Sequence, residues 1–192
     1  MSIKRAKRIE PRQLDLMLRY LAGSRTEERD KVFILLSCKA GLRAREIALL
    51  KWSGVTNAEG EIIREIRIDS ETTKGSRERT IPMNTMLFDA LCVLRRIRPD
   101  DERIAYSVKR GYKYMSPNAM AQYFGRYYRQ LGFEGLSSHS GRRSFCTAAA
   151  RQCNIVGASL VDVQRMAGHA RLQTTAGYID YSDQSVDLVE LI

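Results

Sequence analysis

The sequence predicts an α+β fold, mostly α-helical, with one small antiparallel β-sheet. Three observations point there. Apolar residues recur at helical spacing along most of the chain. The period changes once, in "EIIREIRIDSETTKGSRERTIPM", where Ile alternates with charged residues and Ile66 and Ile68 stand two apart. Hydrophobic residues make up 44% of the chain and charged residues 28%, enough for a core inside a wet surface.

Residues 1–10 read as a flexible basic arm. "PRQLDLMLRYLAG" opens a helix with Pro11, tolerated in a first turn, and ends it near Gly23. "TEERDKVFILLSCKAG" sets acids in its first turn, where they suit the helix dipole, and stops at Gly41. "LRAREIALLKW" is a third helix. The Ile-charge alternation then reads as two strands joined by a tight turn near Lys74-Gly75. Helical spacing returns after Pro82 in "NTMLFDALCVLRRIR", "SPNAMAQYFGRYYRQLG" and "SSHSGRRSFCTAAARQC". "SLVDVQRMAG" and "RLQTTAGYI" are shorter helices.

The formal net charge is +10, which favours an anionic partner, nucleic acid first. The excess is concentrated. Arg103 to Arg151 holds nine Lys or Arg and one acid, Glu134, whereas Tyr181 to Ile192 holds three acids and no base. Cys38, Cys92, Cys146 and Cys153 form no CxxC pair and sit in apolar helical patterns, so they read as buried free thiols of a reducing compartment. No metal site is expected from that spacing and two histidines. The basic N-terminus lacks the apolar core of a signal peptide, and no run approaches the ~18 apolar residues of a membrane span. A cytoplasmic location and no membrane contact are the expectation.

Five stretches carry candidate chemistry. "AGLRAREI" places Arg43 just past a helix-ending glycine, and "TTKGSRERTI" places Lys74 on the hairpin turn. "SSHSGRRSF" sets His139 and Arg142 three apart; with Ser137 or Ser138 as the cap, both share one face of a first helical turn. "MAGH" supplies His169, and Tyr178 follows nine residues later. Both histidines of the chain fall in the set. In this order the residues resemble the tyrosine recombinase (phage integrase) family, over roughly residues 11 to 181.

The resemblance implies the tyrosine recombinase catalytic-domain fold and six catalytic residues, Arg43, Lys74, His139, Arg142, His169 and Tyr178, with Glu46 as a structural acid. Two positions depart from the family pattern. Gly141 stands where Leu is frequent before the second arginine, and is expected to loosen that turn at a cost of about 1 kcal/mol. Arg143 stands where His is frequent after it, and helical spacing favours Arg142 over Arg143 as the catalytic arginine. Tyr181 is a rival nucleophile three residues beyond Tyr178.

The implied reaction is attack of a tyrosine on a DNA phosphate, giving a 3′-phosphotyrosyl bond and a free 5′-hydroxyl. A 5′-hydroxyl from another strand then reverses it. The link conserves the bond energy, so no cofactor is expected. A phenol with a pKa near 10 needs a proton acceptor, for which His139 is the candidate. Negative charge gathering on the phosphorane suits the forks of Arg43 and Arg142, with His169 as a further donor. Lys74 is the candidate acid for the leaving 5′-oxygen.

The organisation expected is an arm at 1–10, a catalytic domain at 11–182 and a tail helix at 183–192. The tail would dock in trans on a neighbour or in cis on its own domain. The domain resembles short stand-alone family members without an N-terminal clamp domain. Expected partners are double-stranded DNA, further copies of the chain from dimer to tetramer, and an accessory DNA-bending or helper protein. A type IB topoisomerase and a catalytically silent DNA-binding regulator are the rival functions.

Overall fold

The computed structural model describes residues 6–69 and 78–178. Lys74, Tyr181 and the tail at 183–192 lie outside the described residues, as do residues 1–5 of the arm. The elements run α1 (Pro11–Leu21), α2 (Glu27–Lys39), α3 (Ala44–Leu49), β1 (Glu65–Ile68), β2 (Arg79–Pro82), α4 (Thr85–Ile97), α5 (Pro117–Gln130), α6 (Ser140–Gln152), α7 (Leu160–Ala167) and α8 (Leu172–Ala176). Each helix and strand expected from periodicity within these residues is present.

The burial pattern explains the architecture. Val32, Phe33, Ile34, Leu35 and Leu36 of α2 are all fully buried. A helix apolar on every side belongs inside, and α2 accordingly packs against both α4 and α6. On the two-stranded antiparallel sheet Ile66 faces Ile81, and both are fully buried. Such a cross-strand pair fixes the register, since a one-residue slip would turn both outward.

The main core joins α1 to α5 and the sheet. A separate small core, built on Ala150, Cys153 and Val163, joins the end of α6 to α7. The four cysteines are free, three of them buried, and burial pushes the Cys38 thiol up to about 12. Among the described residues no helix is long and apolar enough to cross a membrane.

Three details differ from expectation. Residues 106–114, for which periodicity gave no element, fold back in a turn through a Tyr106–Tyr114 bridge. Residues 6–9 are strapped to the domain. Ile9 is buried and exchanges hydrogen bonds with the Ser144 hydroxyl, Lys7 N–H donates to Gly135 O, and Arg143 donates to Ala6 O. Gly141, finally, marks a close approach. A Cβ there would lie 2.2 Å from Ser37 Oγ and 2.9 Å from Ser37 Cβ, so α6 meets α2 at this point only because residue 141 has no side chain.

Candidate active site

Arg43 is the N-cap of α3, and Glu46 is the residue three positions into the helix. One Glu46 oxygen accepts from the Arg43 backbone N–H at 2.8 Å, and the other accepts from its guanidinium at 3.0 Å. Glu46 is 1% exposed. Burial alone would raise its carboxyl, but Arg79, the Arg43 N–H, and the charges of Arg43 and Arg142 outweigh burial and hold it below the usual range. The acid expected to be structural is therefore an ionised anchor for an arginine that keeps about a third of its side chain exposed.

Arg142 projects from the first turn of α6 into the interior. Its NH1 donates to Gly41 O at 2.7 Å and its NH2 to Ala167 O. The first carbonyl lies two residues before Arg43 and the second two before His169, so one guanidinium ties the three stretches together. These bonds occupy two of the five N–H donors of the fork. Burial, then the Arg43 charge, push its pKa down from the ordinary arginine value.

The cap of α6 is not a serine. His139 holds the N-cap position without a side-chain cap bond. The Ser137 hydroxyl instead accepts from His139 N–H at 3.3 Å, and the Ser140 hydroxyl accepts from Ser137 N–H at 2.9 Å. Serine hydroxyls that bond the local backbone compete with helix propagation, and the helix starts at Ser140. His139 is consequently exposed.

α7 ends at Gly168, in the left-handed conformation at φ 63°, with Gly168 N–H on Arg165 O and His169 N–H on Gln164 O. The Gln164 side chain closes the turn by donating to His169 O at 3.0 Å. His169 Nδ1 lies 3.0 Å from the hydroxyl of Thr175, which is fully buried in α8. Burial, followed by the charges of Arg142, Arg43 and Arg79, pushes the His169 imidazole down to about 4, so it is neutral at pH 7. α8 carries the chain from His169 to Tyr178, whose ring stacks on the imidazole. A cavity of about 330 Å³ is lined by Tyr178, His139, Arg143, Gly177, Gln173, Thr174 and Ala6.

Of the six residues expected from the sequence, Arg43, Arg142, His169 and Tyr178 gather in one cluster, and His139 opens on the Tyr178 cavity. Lys74 lies outside the described residues. Arg79 and Thr175 were not singled out. Arg79 had a signal: it stands two residues before Ile81, on the strand face that points inward. Thr175 had none, since its bond to His169 depends on the bend before α8.

Fold and cluster define a class: a helical domain that sets two guanidinium groups and an uncharged imidazole beside a phenol. The chain belongs to the phage integrase family, whose sequence profile matches residues 7–185. Transposase A from transposon Tn554 of Staphylococcus aureus is 27% identical over 169 residues, covering 83% of this chain and 45% of that protein. Tyrosine recombinase XerA of Pyrococcus furiosus is 28% identical over 152 residues, covering 78% and 49%. The chain thus spans about half the length of the curated relatives it matches. The Tn1549 transposon integrase, solved in complex with a circular intermediate DNA, superposes with a TM-score of 0.77 at 17% identity over 99% of this chain and 66% of that one. The XerA recombinase crystal structure gives 0.69 at 19% identity, over 96% and 64%.

Proposed function

We propose that the protein is a tyrosine-type site-specific DNA recombinase that cuts and rejoins strands of a mobile element through a 3′-phosphotyrosyl intermediate. The observation that carries this reading is the stacking of Tyr178 on His169, with Arg43 and Arg142 in the same cluster. Tyr178 attacks phosphorus, and His139, on the same cavity, takes the phenol proton. Arg43 and the remaining donors of Arg142 bind the non-bridging oxygens. A Thr175 hydroxyl donating to Nδ1 leaves the His169 Nε2–H free to add a hydrogen bond. Lys74 protonates the departing 5′-oxygen. The bond made to Tyr178 replaces the bond broken, so religation runs backward through the same groups.

Double-stranded DNA is the proposed substrate. The basic run from Arg103 to Arg151 supports it, as do relatives solved on DNA, including the XerH recombinase bound to its difH substrate. Assembly from dimer to tetramer on paired sites, an accessory DNA-bending protein and a cytoplasmic location complete the proposal. The catalytic unit begins with the strapped residues 6–9 and runs on through Tyr178. A nicked suicide substrate tests the reading: the wild-type protein traps a covalent adduct and Tyr178→Phe traps none while still binding DNA. An adduct from Tyr178→Phe that is lost in Tyr181→Phe would move the nucleophile.

A further inference from the structure

We propose that Arg79 is a positioning residue of this site, holding Arg43 and the His169 turn in one fixed arrangement. The proposal rests on the reading of Arg43 and His169 as phosphate-binding groups. Arg79 opens β2, and its side chain is 5% exposed. Its NH2 donates to Glu46 Oε2 at 2.9 Å, and Glu46 in turn holds both the backbone and the guanidinium of Arg43. Its Nε donates to Met166 O at 2.9 Å, in the last turn of α7.

The hold on α7 has a structural reason. That helix has eight residues and rests on the small second core through Val163, while its last residue, Ala167, is fully buried. Two guanidinium groups clasp consecutive carbonyls there, Arg79 on Met166 and Arg142 on Ala167. Residue 168 has no side chain at the place where Arg79 passes: a Cβ on Gly168 would lie 3.0 Å from Arg79 NH1. A fork is needed for this task. Arginine addresses a carboxylate and a carbonyl in two fixed directions, which a lysine ammonium does not reproduce. The Arg79 charge also faces the imidazole of His169, together with Arg142 and Arg43.

The test compares Arg79→Met with Arg79→Lys; in either variant Glu46 keeps its two bonds from Arg43. Four readouts are taken: thermal unfolding, DNA affinity, single-turnover adduct formation at saturating DNA, and NMR titration of the histidines. In Arg79→Met, affinity is expected to hold while the adduct forms about a hundredfold more slowly, the scale of an ångström-sized misplacement. His169 should titrate at higher pH than in the wild type. Arg79→Lys should restore the His169 titration but not the rate, because it returns the charge without the two-way hold. A rate unchanged by either variant overturns the proposal, and so does a rate that lysine restores in full. Should Arg79→Met fail to fold, the rate of Arg79→Lys decides alone. A wild-type protein that forms no adduct would instead sink the recombinase reading, and the titration would still report what Arg79 holds.

Discussion

The rings of His169 and Tyr178 lie parallel, with planes within 5° and centroids 5.5 Å apart. At that separation parallel rings are offset, an arrangement aromatic pairs favour. The stack fixes the plane of the phenol. The Thr175 hydroxyl fixes the imidazole from its other edge. A turn of five helical residues thereby sets an arrangement of the two rings that neither ring sets alone.

Thr175→Val keeps the shape of this support and removes its hydrogen bond. A bond of about 1 kcal/mol corresponds to roughly a fivefold to tenfold loss of single-turnover cleavage. Thr175→Ser should recover most of it. Equal rates for the valine variant and the wild type would show that the stack alone orients the imidazole.

The low pKa of His169 makes stability depend on acid pH. Its folded value, about 4, lies below the ordinary 6.5. The unfolded chain therefore binds a proton there before the folded one does. The contribution is complete above pH 6.5, falls as pH drops toward 4, and is lost below it. Denaturant melts across that range should show the decline, and His169→Asn should flatten it relative to the wild type.

Gly141→Ala should destabilise the domain by about 1–3 kcal/mol, as overpacking does. The added methyl meets Ser37 and also Cys38 Sγ at 3.0 Å. Combining it with Ser37→Gly should recover part of the loss in thermal melts. A glycine that merely weakened a helical turn would give the opposite sign, since alanine is the better helix former.

Glu46→Gln should cost about 3–5 kcal/mol, because it breaks the buried Arg79–Glu46 ion pair by removing one partner's charge. Removing both charges in Glu46→Gln/Arg79→Met should be milder than the single change. Chemical denaturation of the two variants measures the difference.

DNA binding should weaken steeply with salt. Each phosphate neutralised adds about 0.9 to the slope of log K against log salt on duplex DNA. The candidates lie in the run from Arg103 to Arg151. A flat dependence would make that run a solvated surface.

The helices were legible because their apolar spacing and end signals act locally. Pro11, the acids of α2 and Gly168 each mark a boundary that the structure keeps. The cluster of Arg43, Arg142, His169 and Tyr178 was legible as an ordered series of residue types. What holds it together was less so. The Arg79–Glu46 pair joins residues 33 apart in sequence, and the Arg142 bonds span 101 and 25. No periodicity reports such partners. The reading of Gly141 went astray for the same reason: a glycine judged by its own helix looks costly, whereas here its worth lies in what a second helix brings against it.

The small core under α7 gives the domain two tiers of cohesion. Ala150, Cys153 and Val163, with four partly buried neighbours, form a far smaller apolar mass than the core around α2. Segments with few buried apolar contacts open at lower free energy than the globule as a whole. The stretch that presents His169 and Tyr178 is thus expected to open as a unit of its own, with the Arg79 and Arg142 bonds adding to its hold on the body. Its amides should exchange with deuterium well before those of α2, and a DNA phosphate bridging Arg43 and His169 would lock the upper tier to the lower. On the proposed reading, order at Tyr178 would then arrive with the DNA.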